Sequence, residues 1–132
     1  ESIPADKVKD ILGNYHFGIS TLALFRKKME EASTLKVRDY LASGLPTVLA
    51  YSDTDVPNES PFVFRIQNND DDLDFEAIID GFVPLLKEGS QSKKSIVEFA
   101  RLHLDYNVKV KEMAVFLESL SINRISQTST NR

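Results

Sequence analysis

Glu31 and Asp39 stand with seven residues between them, at the head and in the middle of the stretch RKKMEEASTLKVRDYLASGLPTVLAY, residues 26–51. Ser33 or Thr34 can cap a helix running to Ser43. Gly44 is a natural left-handed stop, and Pro46 forbids continuation. If the helix starts at Thr34, each residue turns it by ~100°, which puts Asp39 about 160° from Val37. Val37 and Leu41 then dock the helix on a core while Asp39 points into a cleft. The helix start at Ser33, Thr34 and Leu35 offers unpaired backbone N–H groups and the positive end of a dipole, a setting that favours an anion such as a diphosphate. A carboxylate at either side of that anion can accept two hydrogen bonds from a diol, one serving a sugar and the other a ribose. Glu31 and Asp39 are therefore expected to be solvent-accessible and to face one concavity.

Other residues offer chemistry with less pattern behind it. Asp70, Asp71 and Asp72 are clustered carboxylates of the kind that ligate Mg²⁺ or Ca²⁺; the favoured reading is a solvated loop ending in a cap for a helix from Asp74. His16 and His103 are the only histidines, and no partner can be named for either, so both are read as structural. Arg26, Lys27 and Lys28 could grip phosphate, but Glu30 and Glu31 offset them. Asp53 and Asp55 follow an apolar strand, where ligands bind in open α/β sheets; loop capping accounts for them equally well.

The elements that must position these groups follow from periodicity. Asp6 to Leu12 reads as a short helix stopped by Gly13-Asn14. Tyr15 to Thr21 reads as a strand and residues 22–31 as a loop. The capped helix to Ser43 comes next, then the continuous apolar run Thr47 to Tyr51, patterned as a strand buried on both faces. Phe62 to Ile66 is a further strand. Asp74 to Leu86 is a helix with Phe75, Ile78, Ile79, Phe82 and Leu86 as its stripe. Gly89 to Ser92 is a linker. Lys93 to Tyr106 is helical through Ile96, Phe99, Ala100 and His103, and Val108 to Leu120 through Val110, Met113, Ala114, Leu117 and Leu120. The order α-β-α-β-β-α-α-α predicts an α/β fold with a mostly parallel sheet, one domain over residues 1–120, and a polar tail over 121–132.

Composition narrows the functional classes. With 42% hydrophobic and 27% charged residues the chain has a globular balance. The net charge of −4, without a basic stripe, speaks against nucleic acid. The absence of cysteine removes disulfides and thiolate metal sites. No apolar run reaches the ~20 residues of a membrane span.

The glutamate, the seven-residue spacing, the second acid, then Tyr40-Leu41-Ala42 and Gly44-Leu45-Pro46 before a strand resemble the Glu-x7-Glu segment of retaining GT-B glycosyltransferases. Ile19 to Arg26 upstream, Tyr51 to Asp55 downstream, and Ala100-Arg101 through the last two helices extend the resemblance over most of the chain. It implies a Rossmann-like parallel sheet with flanking helices, the C-terminal part of a GT-B donor-binding domain. It also implies roles. Glu31, the catalytic candidate, would hold hydroxyls of the donor sugar. Ser33, Thr34 and Leu35 would bind the diphosphate, and Asp39 the ribose. The loop Arg26 to Glu30 would border the sugar. Asp39 stands where the family has glutamate, so its reach is one methylene shorter. The family's arginine and lysine for the diphosphate have no counterpart in residues 1–25.

The expected activity is transfer of a sugar from a nucleoside-diphosphate sugar to an acceptor, in polysaccharide or cell-envelope glycan synthesis, with no cofactor and no catalytic metal. The expected setting is the cytoplasm, with the full-length protein peripheral to the inner face of the membrane. A non-catalytic α/β interaction module and a GT-B-fold nucleotide-sugar epimerase fragment are the alternatives. The chain opens without an initiator methionine and is expected to be a piece of a longer protein, without the first three strands and the N-terminal acceptor domain, hence inactive alone. The Tyr15–Thr21 strand would then have an unpaired side, with Phe17 and Ile19 uncovered, and a homodimer through that edge is expected; helices folding over the edge would instead leave a monomer.

Overall fold

The computed structural model describes residues 3–129. The chain runs α1 (Ala5–Leu12), β1 (Gly18–Ile19), a 3-10 helix (Leu24–Lys27), β2 (Glu31–Ala32), α2 (Leu35–Ala42), β3 (Thr47–Leu49), β4 (Ser52–Asp53), β5 (Val63–Arg65), α3 (Phe75–Glu88), α4 (Ser90–His103) and α5 (Tyr106–Ser129). This is an α/β arrangement around a small all-parallel sheet of order β1-β3-β5. β2 and β4 form a second, two-stranded parallel ladder. No helix among the described residues is long and apolar enough to cross a membrane.

β3 lies at the centre, and every residue from Gly44 to Tyr51 is buried. Alternation sends its side chains to two cores. Leu49 packs with Val37 and Leu41 of α2 and Ile96 and Ala100 of α4. Val48 packs with Ile78 and Phe82 of α3. Helices thus cover both faces, as a parallel sheet requires.

The C-terminal end of α2 is the cap read from sequence. Gly44 has φ +77°; its N–H bonds the Leu41 carbonyl at 3.0 Å and that of Leu45 bonds the Tyr40 carbonyl at 2.9 Å, the Schellman pattern. At the start of α3 the Asp74 carboxylate accepts from the Ala77 N–H at 2.9 Å, so the acidic run does end in a helix cap.

Several expectations need correction. The strands are shorter than the apolar runs containing them: β1 is two residues long, and β3 and β5 are three. Gly89 to Ser92 is not a linker: Gly89 alone, at φ +56°, turns the chain, and α4 begins at Ser90. The α3 stripe is narrower than predicted, with Phe75, Ile79 and Leu86 exposed, since a three-stranded sheet offers room only for Ile78 and Phe82. α5 continues through Ser129, past the tail boundary expected at 121; residues 130–132 lie outside the described ones.

Among the described residues no strand pairs the outer side of β1, as expected, but its apolar side chains are not left uncovered. Phe17 and Ile19 are half-buried against the Val48, Ile78 and Phe82 cluster, with the Phe17 and Phe82 ring centroids 5.5 Å apart. Tyr40 of α2 lies over Gly18, filling the space a Cβ would need, and its hydroxyl donates to the Ile19 carbonyl at 3.4 Å. Burial, and then the neighbouring Asp39 carboxylate, push the Tyr40 phenol above its ordinary value and keep it a donor.

Two substitutions test this packing. Gly18→Ala drives a methyl into the Tyr40 ring and is expected to cost about 1–3 kcal/mol in urea denaturation. Thr47 Oγ1 is buried without a hydrogen-bond partner, so Thr47→Val, which keeps the shape and removes the stranded hydroxyl, is expected to stabilise by about 1 kcal/mol in the same assay.

Candidate functional site

Ser20 directly follows β1, and Tyr51 lies two residues beyond β3. Their hydroxyls are 2.8 Å apart. Thr34, at the head of α2, completes the group, with Oγ1 2.8 Å from Tyr51 Oη and 3.5 Å from Ser20 Oγ. These contacts set the N-terminus of α2 over the C-terminal ends of β1 and β3, where open α/β sheets hold ligands. They also divert the Thr34 hydroxyl: Thr34 is the residue before the first helical turn, yet no side chain caps α2. The Leu35 and Lys36 N–H groups at the positive end of the helix dipole are therefore left without a side-chain cap, while that of Val37 donates to the Thr34 carbonyl at 3.2 Å.

Around this point Ser33 and Leu35 are exposed, Leu35 by 81%, and Thr34 is half-buried. Glu31, in β2, is exposed two residues before Ser33. Asp39 is exposed one turn into α2, while Val37 and Leu41 are fully buried, as the helical geometry predicts. The concavity that Asp39 lines, about 240 Å³, is formed with Val8, Lys9 and Leu12 of α1, and Glu31 is not among its walls. Ser33, Thr34, Leu35 and Glu31 are thus brought together, and Asp39 opens on the α1 side of the helix.

The side of α2 facing β4 carries charge. Arg38 grips Asp53 bidentately, at 2.5 and 2.9 Å, and reaches Asp55 at 2.7 Å. Its Nη1 also donates to the Thr34 carbonyl at 3.2 Å. Lys109 of α5 takes the other Asp55 oxygen at 2.9 Å. Asp53 is 4% exposed, so it holds the loop to α2 and is not free for a ligand. Burial alone would lower the Arg38 guanidinium, but bonds from Asp53 and Asp55 outweigh it and raise it. Burial alone would raise Asp55, but Lys109 and Arg38 overcome that and hold its carboxyl below the usual range. Beyond β4, Arg65 donates to the carbonyls of Tyr51, Val56, Pro57 and Asn58, holding the loop in shape.

The remaining candidates take structural posts. Asn68 accepts from the Phe25 N–H at 3.1 Å and donates to the Met29 carbonyl at 2.8 Å, so it frames the 26–30 loop from beyond β5. Arg26 pairs with Asp70 at 2.5 Å, and Asp71 accepts from Asn69. Among the described residues no group of three His, Asp or Glu side chains is arranged to hold a metal. His103 lies against Phe99, centroids 4.8 Å apart. His16 is exposed in the loop before β1, not in a strand, and lines a cavity of about 260 Å³ with Gly44, Pro46 and Lys93. That cavity is at the opposite, N-terminal edge of the strands, away from the α2 start.

Sequence reasoning passed over Ser20, Arg38 and Tyr51 as working parts. The signal available was weak: Arg38 sits on the polar side of α2 beside Asp39, and Tyr51 is a lone hydroxyl ending an apolar strand. No protein-family model, curated protein or solved structure matches this chain.

Asp55 provides a pH test. A carboxyl depressed on folding contributes stability that is complete above its unfolded value of 3.8 and is lost as pH falls from there toward the lower folded value. Asp55→Asn is therefore expected to cost about 1–3 kcal/mol at pH 7, between the limits for surface and buried pairs. The gap between variant and parent should shrink at pH 3, as read from denaturant midpoints at the two pH values.

Proposed function

We propose that this chain is the donor-binding part of a glycosyltransferase that transfers a sugar from a nucleoside-diphosphate sugar to an acceptor. The fold reading that goes with it is a Rossmann-like sheet belonging to the C-terminal part of a GT-B domain. The observation that carries the proposal is the uncapped N-terminus of α2 at the C-terminal edge of the parallel sheet, with Thr34 turned inward to Tyr51 and Ser20. A diphosphate there would accept from the backbone N–H groups of Ser33, Thr34 and Leu35, and the helix dipole would favour the charge that grows on it as the sugar leaves. Exposed Glu31, at the head of the same turn, would hold donor-sugar hydroxyls. Asp39, on the α1 side, would take the ribose, and its cavity wall of Val8 and Leu12 would lie along the nucleoside.

The two arginines nearest this helix start in sequence are committed elsewhere, Arg38 to Asp53 and Asp55 and Arg26 to Asp70. Affinity for a bare nucleoside diphosphate is accordingly placed in the high-micromolar to millimolar range, roughly −4 to −5 kcal/mol. The reading includes an acceptor domain outside this chain, a cytoplasmic setting beside the membrane, and no turnover by the chain alone. A second reading, a non-catalytic interaction module, draws its support from the exposed apolar residues of α5.

Backbone amides can be tested one at a time. Leu35 is the first helical residue, exposed, and preceded by Thr34 at φ −104° and ψ 137°, a conformation that tolerates a following proline. Leu35→Pro therefore deletes a single N–H without breaking α2. In a titration with a nucleoside diphosphate followed by NMR, it is expected to weaken binding about tenfold, the loss of one hydrogen bond to a charged group, ~1.5 kcal/mol, with the melting temperature unchanged. Equal affinity of variant and parent, or no binding of any nucleotide by the parent, would sink the proposal.

A further inference from the structure

α5 is tied to the body near its start, where Lys109 pairs with Asp55, and from Val110 to Leu120 every residue is exposed. Along it Tyr106, Val110, Met113, Leu117 and Leu120 recur at spacings of 4, 3, 4 and 3 residues. This is the seven-residue repeat of a helix that packs against another helix, at 3.5 residues per turn. Tyr106 is 79% exposed, Met113 64% and Leu117 56%, so the seam is bare. A lone helix of this kind gains little in water, since helical stability in proteins comes chiefly from a buried face.

We propose that this seam pairs with the same seam of a second copy of the chain, as an antiparallel two-helix coiled coil. Size supports self-pairing: the seam with Phe116 beside it offers roughly 600–800 Å² per copy, close to the ~800 Å² per partner of a stable interface. The helix dipoles support the orientation. Antiparallel helices oppose their dipoles, whereas parallel ones align them. Of the flanking positions, Asn107, Ala114 and Phe116 carry no charge, and Lys109 is held by Asp55 and Glu112. In the register that places Met113 against the partner's Leu117, and Val110 against the partner's Leu120, the two-fold axis passes near Val115. This interface is separate from the β1 edge, where Tyr40 already occupies the Ile19 carbonyl, and it does not depend on the nucleotide-sugar reading.

The test is light scattering on a size-exclusion column over a range of concentrations. The parent is expected at twice the 14.9 kDa of one chain. Met113→Glu combined with Leu117→Glu, both at exposed positions and so harmless to the body, is expected to raise the dissociation constant at least about a hundredfold, with the denaturation midpoint of the α/β body unchanged. Orientation is read by cross-linking, which the absence of cysteine makes clean. Phe116→Cys, near the axis, is expected to form an intermolecular disulfide under mild oxidation. Tyr106→Cys is expected not to, its two copies lying roughly 27 Å apart along the helices at 1.5 Å per residue. A parent that stays monomeric at millimolar concentration overturns the proposal, as does a dimer indifferent to the two glutamates. Cross-linking through Tyr106→Cys overturns the antiparallel arrangement.

Discussion

Val48 and Leu49 point to opposite sides of a strand only three residues long, and both are fully buried. A strand with no solvent-facing side must find apolar cover twice. α3 supplies it for Val48, and α2 with α4 for Leu49. Its backbone must also be paired on both edges, which β1 and β5 do in parallel register. The layered arrangement is thus the consequence of burying one short segment completely. Parallel neighbours cannot be joined by tight turns, so the connections carry the helices that provide the cover.

The C-terminal edge of that sheet shows how polar groups are kept from spoiling the core. Three hydroxyls close on one another, and one guanidinium neutralises the buried Asp53 carboxylate. Buried polar groups are costly unless each finds a partner. In finding theirs, Thr34 and Arg38 fix the angle at which α2 leaves the sheet and leave its first turn without a cap. The uncapped helix start is therefore a by-product of satisfied partners nearby.

Much of this was legible in the residues. Val37 and Leu41 against Asp39, Gly44 as the helix stop, Asp74 as the helix start and the apolar run through Val48 all follow from local rules, in which spacing and side-chain chemistry act within one turn. What escaped depends on contacts distant in sequence. Thr34 looked like a cap because nothing local reveals that Tyr51, 17 residues on, takes its hydroxyl. Asp53 was open to two readings because its partner lies on another element. The width of the α3 stripe is set by the number of strands beneath it, a quantity no single helix encodes. The Glu31–Asp39 spacing was plain, yet the wall that Asp39 faces belongs to α1.

The loop from Tyr51 to Asn58 owes its shape to Arg65, whose guanidinium reaches four of its carbonyls from the far side of the polar segment. The loop also holds itself locally, the Asp55 N–H donating to the Asp53 carboxylate at 3.0 Å. The four bonds to Arg65 require β5 to be docked on β3. Contacts that form after the rate-limiting step slow the opening of the native state without hastening its formation. A clamp that closes in that order bears on the lifetime of the folded molecule more than on the speed with which it is reached.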